Sequence, residues 1–75
     1  MFDYSKLRGA IREKFGTQEA FAKAMGFSTS TLSDKLNNKV QWNHKEIDKA
    51  VELLEISKED IPIYFFSEKV QLPEQ

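Results

Sequence analysis

The chain has 75 residues, 11 basic and 12 acidic, a formal net charge of -1 and no cysteine. This length supports one small domain with a thin core, and the missing thiols exclude disulfides and thiolate metal sites. His44 alone cannot hold a metal, no apolar run nears the ~20 residues of a bilayer span, and the first residues lack the layout of a secretory signal; the expectation is a cytoplasmic protein with no metal, cofactor, membrane or small-molecule substrate.

Taken in chain order, the elements are helical. Asp3 is placed to cap a first helix, in which Leu7, Ile11 and Phe15 recur at i, i+4 and i+8 on one face. Lys6, Arg8, Arg12 and Lys14 fall on its exposed side, and Gly16 ends it. Thr17 is a good N-cap for a second helix, Gln18 to Met25, with Phe21, Ala22 and Met25 inward and Gly26 as its stop. Ser28 caps a third helix, with Phe27 and Leu32 at staple spacing and Leu36 on the same face. Asn37-Asn38-Lys39 ends it, since asparagine tolerates the left-handed conformation.

The fourth helix has the clearest start. Asn43 and Glu46 sit at capping-box spacing with Trp42 and Ile47 as the staple, and Ile47, Ala50, Val51 and Leu54 form an inward face. The pattern recurs at Ser57 and Asp60 with Ile56 and Ile61, and Pro62 is expected to limit this fifth helix to little more than a turn. Ile63-Tyr64-Phe65-Phe66 then closes the core, pairs as a strand or offers a partner surface. The expectation is an all-α, five-helix domain over residues 1–67 with a flexible tail over 68–75.

One stretch is more specific. Ala22 gives a helix a small inner residue, Gly26 lies four positions on at the turn, and Leu32 anchors the next helix. Two helices cross tightly only over a small side chain, and a tight turn needs a residue that accepts positive φ. Thr17 to Leu36 therefore reads as a helix-turn-helix. The acids lie late, at Glu46, Asp48, Glu52, Glu55, Glu59, Asp60, Glu68 and Glu74. From Lys6 to Lys45 the bases outnumber them.

With TQEAFAKAMG, then STSTLSDKLNNK, then WNHKEI in this order, the sequence resembles the XRE/Cro-type helix-turn-helix regulators, most of all the small Cro-like repressors of Gram-positive phages. The resemblance covers roughly residues 5 to 57. It implies a lambda-repressor-like fold and a sequence-specific transcriptional regulator that binds a palindromic operator in double-stranded DNA as a homodimer. By position, it implies that Thr29, Ser30, Ser33 and Asp34 face the groove and touch bases. It implies that Thr17, Gln18, Lys35, Asn38, Lys39, Asn43 and Lys45 touch the DNA backbone. The free N–H groups at a helix start attract phosphate, and Lys39 and Lys45 flank that of the fourth helix. The sequence departs from the pattern in having no Arg or Gln for bidentate base readout, and in Asn38 where glycine is commoner.

Tyr64, Phe65 and Phe66 are the expected dimer surface, because they exceed what a terminal segment needs to cover a small core. The competing reading is a protein-interaction module or antirepressor that keeps the fold without binding DNA, favoured by the net charge and by Asp34. An enzyme is not indicated, for there is no nucleophile–base–orienter set, phosphate loop or metal spacing.

Overall fold

The computed structural model describes residues 1–69, and among these the chain is all-α with five helices. α1 runs Ser5–Phe15. Its N-cap is Tyr4, which makes no side-chain capping bond; Asp3 acts from one residue further out, its carboxylate accepting the Ser5 amide at 2.9 Å and the Ser5 hydroxyl at 2.5 Å. α2, Gln18–Met25, is capped as expected, Thr17 Oγ1 accepting the Ala20 amide at 3.1 Å. Gly26 ends it in the left-handed conformation, φ 81° and ψ 22°, and turns its N–H back onto the Ala22 and Lys23 carbonyls. A residue with a Cβ is strained there.

α3, Thr29–Leu36, is capped by Ser28 Oγ on the Thr31 amide at 3.1 Å. Asn38 follows with φ 64°, the positive value that glycine commonly supplies. α4, His44–Leu54, carries the full capping box: Asn43 Oδ1 accepts the Glu46 amide at 2.8 Å, and the Asn43 amide donates to Glu46 Oε1 at 3.0 Å. It ends on Glu55, left-handed at φ 55°, whose carboxylate pairs with Lys14 at 2.7 Å.

The fifth helix is as short as expected but starts later. Ser57 precedes a short 3-10 turn, Lys58–Asp60, with no side-chain capping bond, and α5, Ile61–Phe65, continues from it. Pro62 stands in the first turn of α5, where its missing N–H would have had no partner. The helix is little more than a turn, as expected, but the proline stands at its opening and not at its end. Beyond α5 the chain returns to its own beginning. Phe2 and Glu68 form one antiparallel bridge, the Asp3 amide donates to the Ser67 carbonyl at 2.7 Å, and the Lys69 amide donates to the Met1 carbonyl at 3.0 Å. Residues 68 and 69, expected in the tail, thus pair with the N-terminal arm; the rest of that tail, 70–75, lies outside the described residues.

The core gathers Leu7 and Ile11 from α1, Phe21, Ala22 and Met25 from α2, Leu32 and Leu36 from α3, Ile47, Ala50, Val51 and Leu54 from α4, and Phe65 from α5. Each large member contributes about 1.5–3 kcal/mol by leaving water. Phe65 is 1% exposed and its ring meets Trp42 edge-on at 5.1 Å. It is therefore a core residue, which corrects its place in the expected dimer surface. α1 packs on α2, α4 and α5, while α3 packs closely on α2 alone among the helices.

Polar ties supply the rest of α3's support. The Lys35 ammonium reaches inward to Glu46 Oε1 at 2.9 Å and the Gln41 carbonyl at 3.1 Å, with the Phe27 and Trp42 ring centroids 5.4 and 5.9 Å away. Lys35 is 5% exposed. Arg8 Nη2 donates to the Leu36 carbonyl at 3.1 Å and to Asn37 Oδ1 at 2.9 Å. The Asn38 amide grips both backbone groups of Phe2, each at 2.9 Å.

Burial alone would raise the Glu46 pKa, but the Asn43 amide bond and the bond and charge of Lys35 outweigh it, and the carboxyl sits below its ordinary value. A depressed folded-state pKa stabilises the fold above the unfolded value and loses that contribution as pH falls through the folded one. Urea unfolding should therefore show stability falling below the ordinary glutamate range, with the Glu46 share of that fall absent in Glu46→Gln. Glu46→Ala should cost about 3 kcal/mol, since it strands a buried ammonium, whereas Lys35→Met with Glu46→Leu should cost far less.

Candidate functional site

The helix-turn-helix places its outward face on the first turns of α3. Thr29 and Ser30 are exposed, while Ser33 and Asp34 are half-buried. The Ser33 hydroxyl accepts from the Asn37 amide at 3.2 Å, and the Asp34 carbonyl receives the Lys39 and Val40 amides at 2.8 and 3.3 Å. These four residues share one helix, two of them exposed and two half-buried. The face consists of hydroxyls and one carboxylate. Its helix holds a single cation, Lys35, and that cation is turned into the protein.

Lys35 therefore leaves the set of expected backbone contacts. Its ammonium already has an anion, a carbonyl and two aromatic rings around it, so it reaches no phosphate without breaking the tie between α3 and α4. The signal for this was present. Lys35 lies three residues after Leu32 and one before Leu36, on the inward side of the helix. The Asn38 side-chain amide uses one donor and one acceptor on the Phe2 backbone, so it serves the fold as well as any partner. Asn43 commits its Oδ1 and its backbone N–H to the capping box.

Thr17 is exposed and Gln18 half-buried at the start of α2. Together with Arg8, Ile11, Arg12 and Gly16 they line a cleft of about 230 Å³. Arg12 was read only as a surface base; its place beside the α2 start emerges from the packing of α1 on α2. Lys39 and Lys45 are exposed on either side of the loop into α4. Tyr64 is half-buried, facing a separate cavity of about 350 Å³ with Lys14, Glu55 and Asp60 among its lining. Phe66 is 49% exposed and packs edge-on against Phe2 at 5.7 Å. Of the three aromatic residues expected at a dimer surface, Phe66 alone is exposed.

No group of three or more His, Asp or Glu side chains among the described residues is arranged to hold a metal ion. None of the described helices is long and apolar enough to cross a membrane.

Residues 1–68 match the family described as "Protein of unknown function (DUF739)". No curated protein matches the chain. Among solved structures, it is similar to the solution structure of the modulator of repression (MOR) of the temperate bacteriophage TP901-1 from Lactococcus lactis. The two are 57% identical, the match covers 93% of this chain and 95% of that one, and the TM-score is 0.79. Near-complete coverage at that identity makes the two homologues throughout their folded parts, and the chain belongs to the DUF739 family.

Proposed function

We propose that this chain modulates phage repression by binding a repressor protein, and that it does so without reading an operator itself. The observation that carries this reading is the uncharged-to-acidic face of α3. A recognition helix that docks in the major groove usually brings Arg, Lys, Asn or Gln to base edges and cations to the flanking phosphates. Here Thr29, Ser30, Ser33 and Asp34 form the face, and the helix's one lysine is buried on Glu46. Asp34 repels phosphate, and the net charge of -1 gives no general attraction to DNA. The homologue from phage TP901-1 is described as a modulator of repression. A protein that modulates repression has the repressor as its most direct target.

A second reading keeps DNA as the partner, and one observation favours it. Gln18 and Arg12 line a cleft at the start of α2, and Lys39 and Lys45 are exposed around the loop into α4, so cations and a helix start are available for phosphates. In that reading Thr29, Ser30, Ser33 and Asp34 touch bases. Thr17, Gln18, Lys39, Lys45 and the start of α4 at Asn43 touch the backbone, with the chain acting as a homodimer on a palindrome.

Fluorescence anisotropy on labelled duplex separates the two. The protein reading predicts that the chain alone binds operator and random duplex equally weakly, and that adding it to a preformed repressor–operator complex releases the DNA. The DNA reading instead predicts operator binding by the chain alone, with log affinity falling against log salt at a slope near the ~3–5 phosphates neutralised per subunit. It also predicts that Ser30→Ala and Ser33→Ala each reduce operator discrimination by about 1–3 kcal/mol, with Lys39→Ala weakening all duplexes alike. Salt-sensitive, sequence-selective binding by the isolated chain would overturn the proposal.

A further inference from the structure

The residues before α1 form an arm that is bonded to two distant parts of the chain. The Asp3 amide donates to the Ser67 carbonyl at 2.7 Å, and the Met1 carbonyl accepts the Lys69 amide at 3.0 Å. Phe2, between them, is held by a side chain. Asn38 Oδ1 accepts the Phe2 amide and Asn38 Nδ2 donates to the Phe2 carbonyl, each at 2.9 Å. A primary amide carries a donor and an acceptor side by side, as a peptide group does, so Asn38 serves the arm as a strand would. The Phe2 ring meets those of Tyr4 and Phe66, with centroids 6.3 and 5.7 Å away.

This attachment is polar and lies near the surface. Phe2, Asp3, Asn38 and Ser67 are half-buried, while Met1, Glu68 and Lys69 are exposed. A small cavity of about 140 Å³ lies between the arm and the end of α3, with Asp3, Arg8, Leu36, Asn38 and Lys69 in its lining. Segments held by a few hydrogen bonds near solvent open at lower free energy than a packed core. Arg8 holds the Leu36 carbonyl and Asn37 Oδ1 from α1, and the arm takes over at the next residue. That residue sets the turn after α3. Asn38 has φ 64°, and beyond it the Lys39 and Val40 amides fold back onto the Asp34 carbonyl at 2.8 and 3.3 Å.

We propose that the arm, Asn38 and Ser67 to Lys69 form one latch that opens and closes as a unit, with the turn after α3 ordered only while the latch is closed. Opening frees the loop that carries Lys39 and leaves the helical core folded. The latch thereby couples the segment before α1 and the segment after α5 to the helix of the candidate site, whichever partner that helix takes.

Amide hydrogen exchange followed by NMR tests this, with each variant read at the end it does not touch. Asn38→Gly suits the positive φ and deletes both side-chain bonds. Phe2→Ala removes the ring and keeps both backbone groups. Asn38→Gly should speed exchange at Asp3 and Lys69 about tenfold, and Phe2→Ala should do the same at Lys39 and Val40. The amides of Ile11 and Phe21, in the core, should keep their wild-type rates in both. If either variant leaves its far end at the wild-type rate, the contacts open independently and the latch is overturned. Equal acceleration at the core amides marks general destabilisation and overturns it as well, as does a wild type unprotected at Asp3 and Lys69. Should Phe2→Ala unfold, Asn38→Gly decides alone.

Discussion

The inward turn of Lys35 governs how this small domain presents its third helix. α3 has one close helical neighbour, α2, and two fully buried leucines, Leu32 and Leu36. That is little apolar area for a helix of eight residues. The ion pair with Glu46 adds a tie to α4 across the loop, and the Gln41 carbonyl and two aromatic rings complete the ammonium's surroundings. A buried charge pair gains little over a well-packed apolar pair, but breaking it by removing one partner costs much more. Its value here is positional, because it fixes where α3 sits relative to the start of α4.

The same pair joins two local devices. Glu46 Oε1 accepts the Asn43 amide as the capping box requires, and also receives Lys35. The N-terminus of α4 and the last turn of α3 are thus organised by one carboxylate. At the other end of the loop, Asn38 takes the left-handed conformation and holds Phe2, while Arg8 from α1 closes on Leu36 and Asn37. The last turn of α3 is tied down by polar groups on every side, while its first turn, with Thr29 and Ser30, stays open to solvent. A functional consequence follows for the outward face. The one cation the helix possesses is absorbed by the fold, so the residues left outside are small, polar and uncharged apart from Asp34. The helix-turn-helix geometry is kept while the chemistry that usually accompanies groove reading is thinned out.

Much of this was legible in the sequence because it depends on local chemistry. Thr17, Ser28, Asn43 with Glu46, and Gly26 mark helix starts and a stop through bonds to residues at most four positions away, and the apolar faces follow helical periodicity. The features that were not legible depend on distant partners. Pro62 correctly reads as the mark of a short fifth helix, but that it stands in the first turn is visible only from the 3-10 turn before it. Phe65 and Phe66 read alike as core or partner surface, and Phe65 is core because Trp42, from the loop before α4, packs on it. Asn38 reads as a DNA contact, and is the clasp for an N-terminal arm 36 residues away. Lys35 stands between these cases. Its register with Leu32 and Leu36 pointed inward, but lysine at such a position is ordinarily assigned to solvent, and only the arrival of Glu46 makes burial tolerable.

Native-state hydrogen exchange on the Glu46→Ala variant tests the role of this tie most directly. If the Lys35–Glu46 pair holds α3 in place, the amides of Leu32 to Leu36 should lose protection well beyond those of α1 and the core of α2, which keep their packing. A uniform loss of protection across all the helices would show that the pair contributes only to global stability, and would contradict the claim that it positions the third helix.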